Sequence, residues 1–389
     1  PTRRSSDSYS GLLRWRRQLA PGNEFAFTAS VARDLGEDAY FIPVTANSGI
    51  TVDYARQAEK LAIEYQHQAV LSDMWRAVWG LDYREEWVVA SQLFNTYQRQ
   101  ETHAARAYLS AEYRPVDFLT GNFGLLYERE ALAGEQFAPR IGLNWKALPG
   151  HRLGIGYSTA FRLPSLFEQR SDWRFSYLGQ TIDIRYLSRG GLAAEKIKAT
   201  EITYVGNWRK SGLGIDLRLF HEEISDLVTQ QKYALPPGTE VSPDSGAYDL
   251  RNNGALRIDG VEYQVRWDPS ERWQAVLGSA LLRPRSSTAF LSQSIPNHTI
   301  SLLGTYRIGS AYAFHLGYYQ QGSIRWIGET DQLAIRRQLN LGFERLFRGL
   351  GVDHALTVRG QWVLGDQKEE FRSGQQVPPL LWFGWKVSY

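Results

Sequence analysis

The chain contains no cysteine in its 389 residues. Disulfides and thiolate metal centres are therefore excluded. It has one methionine, and no apolar run approaches the roughly 18 residues a membrane-spanning helix needs. The net charge is only +3, with Arg and Lys scattered, which offers no basic stripe for nucleic acid. Catalytic signatures are also missing. There is no P-loop and no dinucleotide glycine fingerprint, and the seven dispersed histidines suggest no Ser/His/Asp cluster. His221-Glu222-Glu223 lacks HExxH spacing and reads as a solvated stretch where a strand runs into a loop. Glu85-Glu86 and Glu369-Glu370 are adjacent residues; on a strand they face opposite sides, so neither pair converges. Neither an enzyme nor a cofactor is expected. The chain begins Pro1-Thr-Arg-Arg4, with no methionine and no signal peptide, as a mature product or a fragment would.

What the chain has in quantity is aromatic rings, with 13 Trp and 21 Tyr. Their apolar bodies suit lipid and their polar tips suit a membrane interface. Charged residues make up 22%, which a transmembrane barrel tolerates because only alternate residues face lipid. The last residues are the most telling. Leu381, Phe383, Trp385, Val387 and Tyr389 share one face of a period-2 strand, against Gly384, Lys386 and Ser388, with Trp382 the one apolar exception. In a soluble sandwich this would be a greasy, uncovered edge. In an outer-membrane barrel, lipid covers the face and the residues read as a barrel-insertion signal.

Alternation recurs along the chain. Ile202, Tyr204, Gly206 and Trp208 oppose Glu201, Thr203, Asn207 and Arg209, and Val261, Tyr263, Val265 and Trp267 oppose Glu262, Gln264 and Arg266. Tight Gly/Pro turns stand at Ala20–Asn23, Arg114–Asp117, Leu148–His151, Lys210–Gly212, Asp268–Glu271 and Arg307–Ser310. Aromatics flank them: Tyr113, Trp145, Trp208, Trp267 and Tyr306 before, Phe25, Phe118, Trp273 and Tyr312 after. Every second connection is expected to be long, about 34–54, 91–101, 162–196, 232–250 and 284–296. Short turns under an aromatic ring at one end and long loops at the other predict an all-β, transmembrane antiparallel barrel with periplasmic turns and extracellular loops. About 17 strands are expected. An odd count beginning and ending in the same direction cannot close by antiparallel pairing alone. Residues 55–68 are rich in helix formers, but Leu61, Ile63 and Tyr65 alternate with Ala62, Glu64 and Gln66 and predict a strand.

The middle of the chain resembles a family. Gly156-Tyr-Ser-Thr-Ala-Phe-Arg-Leu-Pro-Ser-Leu-Phe-Glu168 is similar to the FRxPxxxE element in the barrel of TonB-dependent outer-membrane receptors. Leu192-Ala-Ala-Glu-Lys196 resembles their L-x-P-E element, with Ala194 in place of the usual proline. Thr200–Gly206, Phe220–Val228, Asn252–Glu262 and the terminal strand follow in the family's order, so the likeness spans about 154–389. The resemblance implies a barrel of 22 strands with a lumen-filling plug, of which residues 1–389 would be the C-terminal barrel part, without the plug and roughly the first five strands. It further implies an integral multi-pass protein of the Gram-negative outer membrane. Such a protein is inserted by the barrel-assembly machinery, surrounded by outer-membrane lipid and energised through the plug by the TonB–ExbB–ExbD complex. Its task would be uptake of a scarce nutrient, most often a ferric siderophore and less often cobalamin or a glycan.

Ligand contacts are expected on the long loops. Residues 162–196 carry Arg162, Glu168, Arg170, Trp173, Arg174, Tyr177, Arg185 and Tyr186, a mix of guanidinium and aromatic groups suited to an anionic, aromatic small molecule such as a siderophore. Tyr40, Phe41 and Tyr97 on other loops are further candidates. The competing reading is a loop folded on itself, in which Phe161, Arg162, Pro164 and Glu168 brace the rim. At the level of the whole protein, the alternatives are a passive porin of sixteen to eighteen strands, constricted by residues 162–196, and a structural or adhesion barrel.

Overall fold

The computed structural model describes residues 3–45, 48–236, 238–239, 246–326, 332–333, 335–349, 351–365 and 378–388. The N-terminal part runs β1 (Arg3–Ala20), β2 (Asn23–Thr45), β3 (Ser48–Asp53), β4 (Arg56–Val70), β5 (Trp75–Val89), α1 (Ser91–Phe94), β6 (Gln100–Val116), β7 (Leu119–Glu130), β8 (Gly134–Leu148) and β9 (His151–Arg162). There follow α2 (Leu166–Arg170), β10 (Asp172–Tyr177), β11 (Gln180–Leu187), β12 (Glu195–Trp208), β13 (Leu213–Tyr233), β14 (Ala247–Ser270) and β15 (Trp273–Arg285). The rest is α3 (Ala289–Gln293), β16 (His298–Ile308), β17 (Tyr312–Gln321), β18 (Ile324–Arg325), β19 (Gln332–Leu333), β20 (Arg336–Gly349), β21 (Val352–Leu364) and β22 (Leu380–Ser388).

Twenty strands belong to one sheet, and β18 with β19 forms a separate small pair. Sequence neighbours pair antiparallel, as in β4–β5, β5–β6, β16–β17, β20–β21 and β21–β22. Five short strands (β3, β10, β11, β18 and β19) lie in long connections. Among the described residues, setting those five aside from the twenty-two strands leaves seventeen long ones, against the roughly 17 that alternation predicts. Residues 55–68 form β4 despite their helix propensity, because the segment pairs on both edges, Val31 with Leu61 on β2 and Leu61 with Glu85 on β5.

Each predicted tight turn lies at a junction between two consecutive long strands, and Gly22, Gly150, Gly212 and Gly309 in them have positive φ. Among the alternate connections, the expectation of uniformly long loops fails once. Strands β7 and β8 are joined by residues 131–133 alone. The carboxylate of Glu130 accepts the backbone N–H groups of Leu132 at 2.8 Å and Ala133 at 2.7 Å, which fixes a tight turn without Pro.

The chain divides into two compact units. The first comprises Pro1–Ile141, Ser158–Lys198 and Ile224–Gly254. On β4–β7 its two faces differ sharply. Leu61, Ile63, Leu81, Tyr83, Leu125 and Tyr127 are exposed on one side. On the other side polar groups pair across strands: Lys60 with Glu86 at 2.8 Å, Arg84 with Glu128 at 2.8 Å, the Tyr108 hydroxyl donating to Glu64 at 2.9 Å, and Arg106 with Asp82. An apolar face left open beside a hydrogen-bonded polar face is the inverse of a soluble sheet and suits lipid outside and water inside. The unit's larger buried apolar groups, Val52, Phe94, Ile184, Leu192 and Leu250, lie on the loop side, while Ala26, Ala69 and Ala77 are buried near the tight turns.

The second unit comprises Gly142–Tyr157, Ala199–Glu223 and Ala255–Tyr389. Its turn end carries the rings expected there: Trp273 lies 4.4 Å from Tyr306 and His151 lies 4.9 Å from Trp208, centroid to centroid. On β22, Leu381, Phe383, Trp385 and Val387 are all exposed, and Phe383 is 78% accessible. The indole N–H of Trp385 donates to Nδ1 of His354 at 3.2 Å. Tyr389, Glu369 and Glu370 lie outside the described residues. No helix among the described residues is long and apolar enough to cross a membrane.

Candidate ligand-binding loops

Two sequence elements meet at the base of the 163–194 connection. Ser165 caps α2 through a capping box: its hydroxyl accepts from the Glu168 N–H at 3.2 Å, and the Glu168 carboxylate accepts from the Ser165 N–H at 2.7 Å. The same carboxylate receives two bonds from the Arg162 guanidinium, both 3.0 Å. Arg162 also reaches Glu195 at 2.6 and 2.7 Å, and Glu195 accepts the Val228 N–H at 2.8 Å. Burial raises the Glu168 carboxyl's pKa, but the bonds from Arg162 and the Ser165 N–H outweigh it and hold the group below the usual carboxylate range. Next to it, Gln169 is buried and donates to the Leu192 carbonyl at 2.8 Å while accepting the Leu192 N–H at 3.1 Å. The Ser188 hydroxyl donates to the Glu168 carbonyl at 2.7 Å. These bonds tie the loop to its own base.

Above this base stands a pile of rings. Trp173 on β10 and Tyr186 on β11 face each other in register, with centroids 5.7 Å apart and planes 7° apart. Tyr54, from the β3–β4 connection, sets its edge against Trp173 at 5.7 Å and stacks on Tyr40 of β2 at 5.6 Å. Phe167 lies 5.3 Å from Tyr186, and Tyr248 closes the pile at 5.8 Å from Tyr186. Tyr40, Tyr54, Phe167, Trp173 and Tyr186 are half-buried and Tyr248 is exposed, while Val52 on β3 and Ile184 on β11 are fully buried. Burial pushes the Tyr54 phenol well above its ordinary pKa, assisted by Tyr40. Burial likewise raises Tyr186, with Tyr248 adding to it and the bond from Gln230 opposing. Phenols held protonated are poor ligands for a bare metal ion, and the described residues hold no cluster of metal-ligating side chains. The pile offers stacking faces and hydroxyl donors.

Most guanidinium charge here is already matched. Arg174 pairs with Asp172, with one contact at 2.9 Å, and Arg185 pairs with Asp183 at 2.6 Å while its guanidinium lies 6.0 Å from the Phe175 ring. Arg189 lies 4.0 Å over the Tyr233 ring. Arg170 is exposed and has no ion pair among the described residues.

A family model described as TonB dependent receptor-like, beta-barrel, matches residues 1–366. The chain belongs to the TonB-dependent receptor β-barrel family. Its fold is similar to that of the ferric enterobactin receptor PfeA of Pseudomonas aeruginosa, at 11% identity and TM-score 0.65, over 91% of this chain and 63% of that one. The ferric-catecholate import receptor Fiu of E. coli K12 matches at 13% identity and TM-score 0.65, over 92% and 60%. The siderophore receptor PirA of Acinetobacter baumannii matches at 13% identity and TM-score 0.67, over 91% and 58%. The chain thus spans about three fifths of the length of these receptors. No curated protein sequence matches it significantly.

Within this receptor barrel the residues singled out from sequence fall into four groups. Trp173, Tyr186 and Tyr40 meet in the ring pile. Tyr177 is tied to β3 by a 2.6 Å bond between its hydroxyl and that of Ser48, and Arg174 and Arg185 flank the hairpin in their own ion pairs. Arg162 and Glu168 are spent on the loop base. Phe41, Tyr97 and Arg170 stand apart and exposed. Tyr54, Phe167 and Tyr248 escaped the sequence reading. The only signal for them was an aromatic residue in or beside a long connection, which does not say that three connections meet. His221 also departs from expectation. It lies inside β13, twelve residues short of its end, because that strand continues as a long extension to Tyr233.

Proposed function

We propose that this chain is the barrel of an outer-membrane receptor that takes up a chelated, aromatic nutrient of the ferric-siderophore class, energised by the TonB–ExbB–ExbD complex acting on a plug of the family's kind. The observation that carries the reading is the ring pile Tyr40–Tyr54–Trp173–Tyr186–Tyr248, half-exposed on the loop side of a family barrel. A catecholate-type ligand brings flat rings and negative charge. The pile supplies stacking faces and phenol donors, and Arg185 at its edge, whose pair with Asp183 is solvent-exposed and therefore weak, offers its guanidinium to the ligand's charge. Iron would enter already wrapped in its chelator, since the protonated phenols do not compete for the metal. The names of the neighbouring receptors, which include ferric enterobactin and ferric-catecholate receptors, favour the same ligand class.

The native protein, in outer-membrane vesicles and in cells, tests this reading. Binding of a ferric catecholate should quench the Trp173 fluorescence, and uptake should stop when the proton-motive force is collapsed. Uptake or conductance that continues without TonB would instead support a passive porin.

A further inference from the structure

The outward face of β13–β15 changes character at one level. Running from the turn end, Leu217 and Leu219 give way to His221 and Glu223 on β13, and Leu277, Ser279 and Leu281 give way to Arg283 and Arg285 on β15. On β14, Val265, Tyr263 and Val261 give way to Asp259 and Arg257. The register places Val261 opposite Leu281, Asp259 opposite Arg283 and Arg257 opposite Arg285, so the switch is aligned across the strands. His221 bonds Asp259 at 2.7 Å, Arg257 pairs with Glu223 at 3.1 Å and Arg285 pairs with Asp259 at 3.3 Å. Arg283 has no ion pair of its own among the described residues.

This patch is basic, with three guanidiniums and His221 against two carboxylates. It is not a general property of the rim. In the first unit, taken by itself, the outward charged groups loop-side of the apolar stretch on β2, β4 and β5 are Arg33, Arg99 of the β5–β6 connection and His103, against Glu59, Glu85 and Glu101. Directly below the patch, Leu219 and Leu281 are exposed, Leu281 by 52%. A cleft lined by Leu219, Val261 and Leu281 leads up to His221, Asp259 and Arg283. Apolar strip below and cations above match an amphiphile with acyl chains and an anionic head. The pairs that a phosphate would share are exposed and therefore weak competitors.

We propose that this patch binds a phosphate-bearing lipid of the outer leaflet, with its phosphates on Arg257, Arg283 and Arg285 and its chains along Leu219, Val261 and Leu281. The inference rests on the barrel's spanning a membrane with its long loops outside. Arg285 ends β15 at the loop side, so the head lies at the outer interface.

The test is native mass spectrometry of the full chain in detergent, titrated with a bisphosphorylated diglucosamine lipid, phosphatidylcholine or inorganic phosphate. The phosphorylated lipid should bind preferentially. Combining Arg257→Gln, Arg283→Gln and Arg285→Gln should weaken it about a hundredfold, from roughly fivefold per arginine near an anionic lipid surface. Lysine at all three positions should retain most of the affinity, and Arg33→Gln with Arg99→Gln should leave it unchanged. If the triple glutamine chain does not fold, Arg283→Gln alone should cost about fivefold. Equal binding by parent and variants, or equal binding of phosphatidylcholine or of inorganic phosphate, would overturn the proposal. Insertion into phosphatidylcholine bilayers separates the two readings. A chain that inserts but shows no preference for the phosphorylated lipid defeats only this proposal, whereas a chain that enters no bilayer defeats the barrel reading as well.

Discussion

Trp173 lies parallel to Tyr186 across the β10–β11 hairpin, with centroids 5.7 Å and planes 7° apart. Both rings are only half-buried, so the stack contributes to the loop and also leaves ring surface open. Trp173→Ala should destabilise the loop by about 2 kcal/mol, below the range for a fully buried Trp, and weaken catecholate binding at least tenfold. Hydrogen exchange over 172–187 and a ligand titration check the two effects separately. Retained affinity would remove the ring pile from the binding site.

Phenols in this pile give it an alkaline limit. The folded state raises the pKa of Tyr54 and Tyr186 above the ordinary 10.0, so it favours their neutral forms. That stabilisation is complete below pH 10 and is lost as pH rises past it, where unfolded tyrosines ionise first. Loop protection against protease should hold from neutral pH to about 10 and decline beyond.

At the loop base the sign reverses. The folded Glu168 carboxyl has a lowered pKa, so its contribution is present above the ordinary value of 4.5 and is lost as pH falls through the folded one. Protease resistance of 163–194 should persist at pH 5 and fail at more acid pH. Arg162→Ala should reproduce that loss at neutral pH, at a cost of about 1–3 kcal/mol because two carboxylates lose their shared partner. Arg162→Lys should rescue only part, since one ammonium cannot serve both in bidentate fashion.

The terminal strand predicts a face-dependent response. Phe383→Arg places charge on the exposed apolar face and, if that face meets lipid as proposed, should cost about 2–4 kcal/mol, seen as a lower yield of inserted, heat-resistant barrel. Lys386→Arg, on the opposite side, should change little. Equal effects at the two positions would contradict the assignment of faces.

Trp385 and His354 make a further test. The imidazole lies with Nε2 3.1 Å from the Gly349 carbonyl, which requires an N–H there, and so leaves Nδ1 to accept from Trp385. His354→Phe should cost about 1 kcal/mol of barrel stability, measured by the midpoint of thermal unfolding in detergent. No change would show that the packing of the rings, not the bond, carries the contact.

The strands are legible in the sequence because period-2 alternation is a local property. Residues 55–68 are instructive: composition favoured helix, alternation favoured strand, and pairing to β2 and β5 decided for strand. The short β7–β8 turn was not legible. It depends on one carboxylate, Glu130, folding back on two N–H groups, and acidic residues near turns are too common to single it out. Likewise Arg162, Glu168 and Glu195 were visible as separate motif residues, but nothing in their spacing said that one guanidinium joins them.

The sequence by itself determined the fold class, the number of long strands, the tight turns with their flanking rings and the apolar face of the terminal strand. Each follows from which neighbours along the chain are apolar. Only the tertiary structure decided which rings meet, which arginines are already paired and where the outward charges align across strands. Those relations join residues such as Tyr54, Trp173 and Tyr248, which stand on separate connections. Their encounter is set by strand register and loop packing, and these are balances over many residues at once that no single segment encodes.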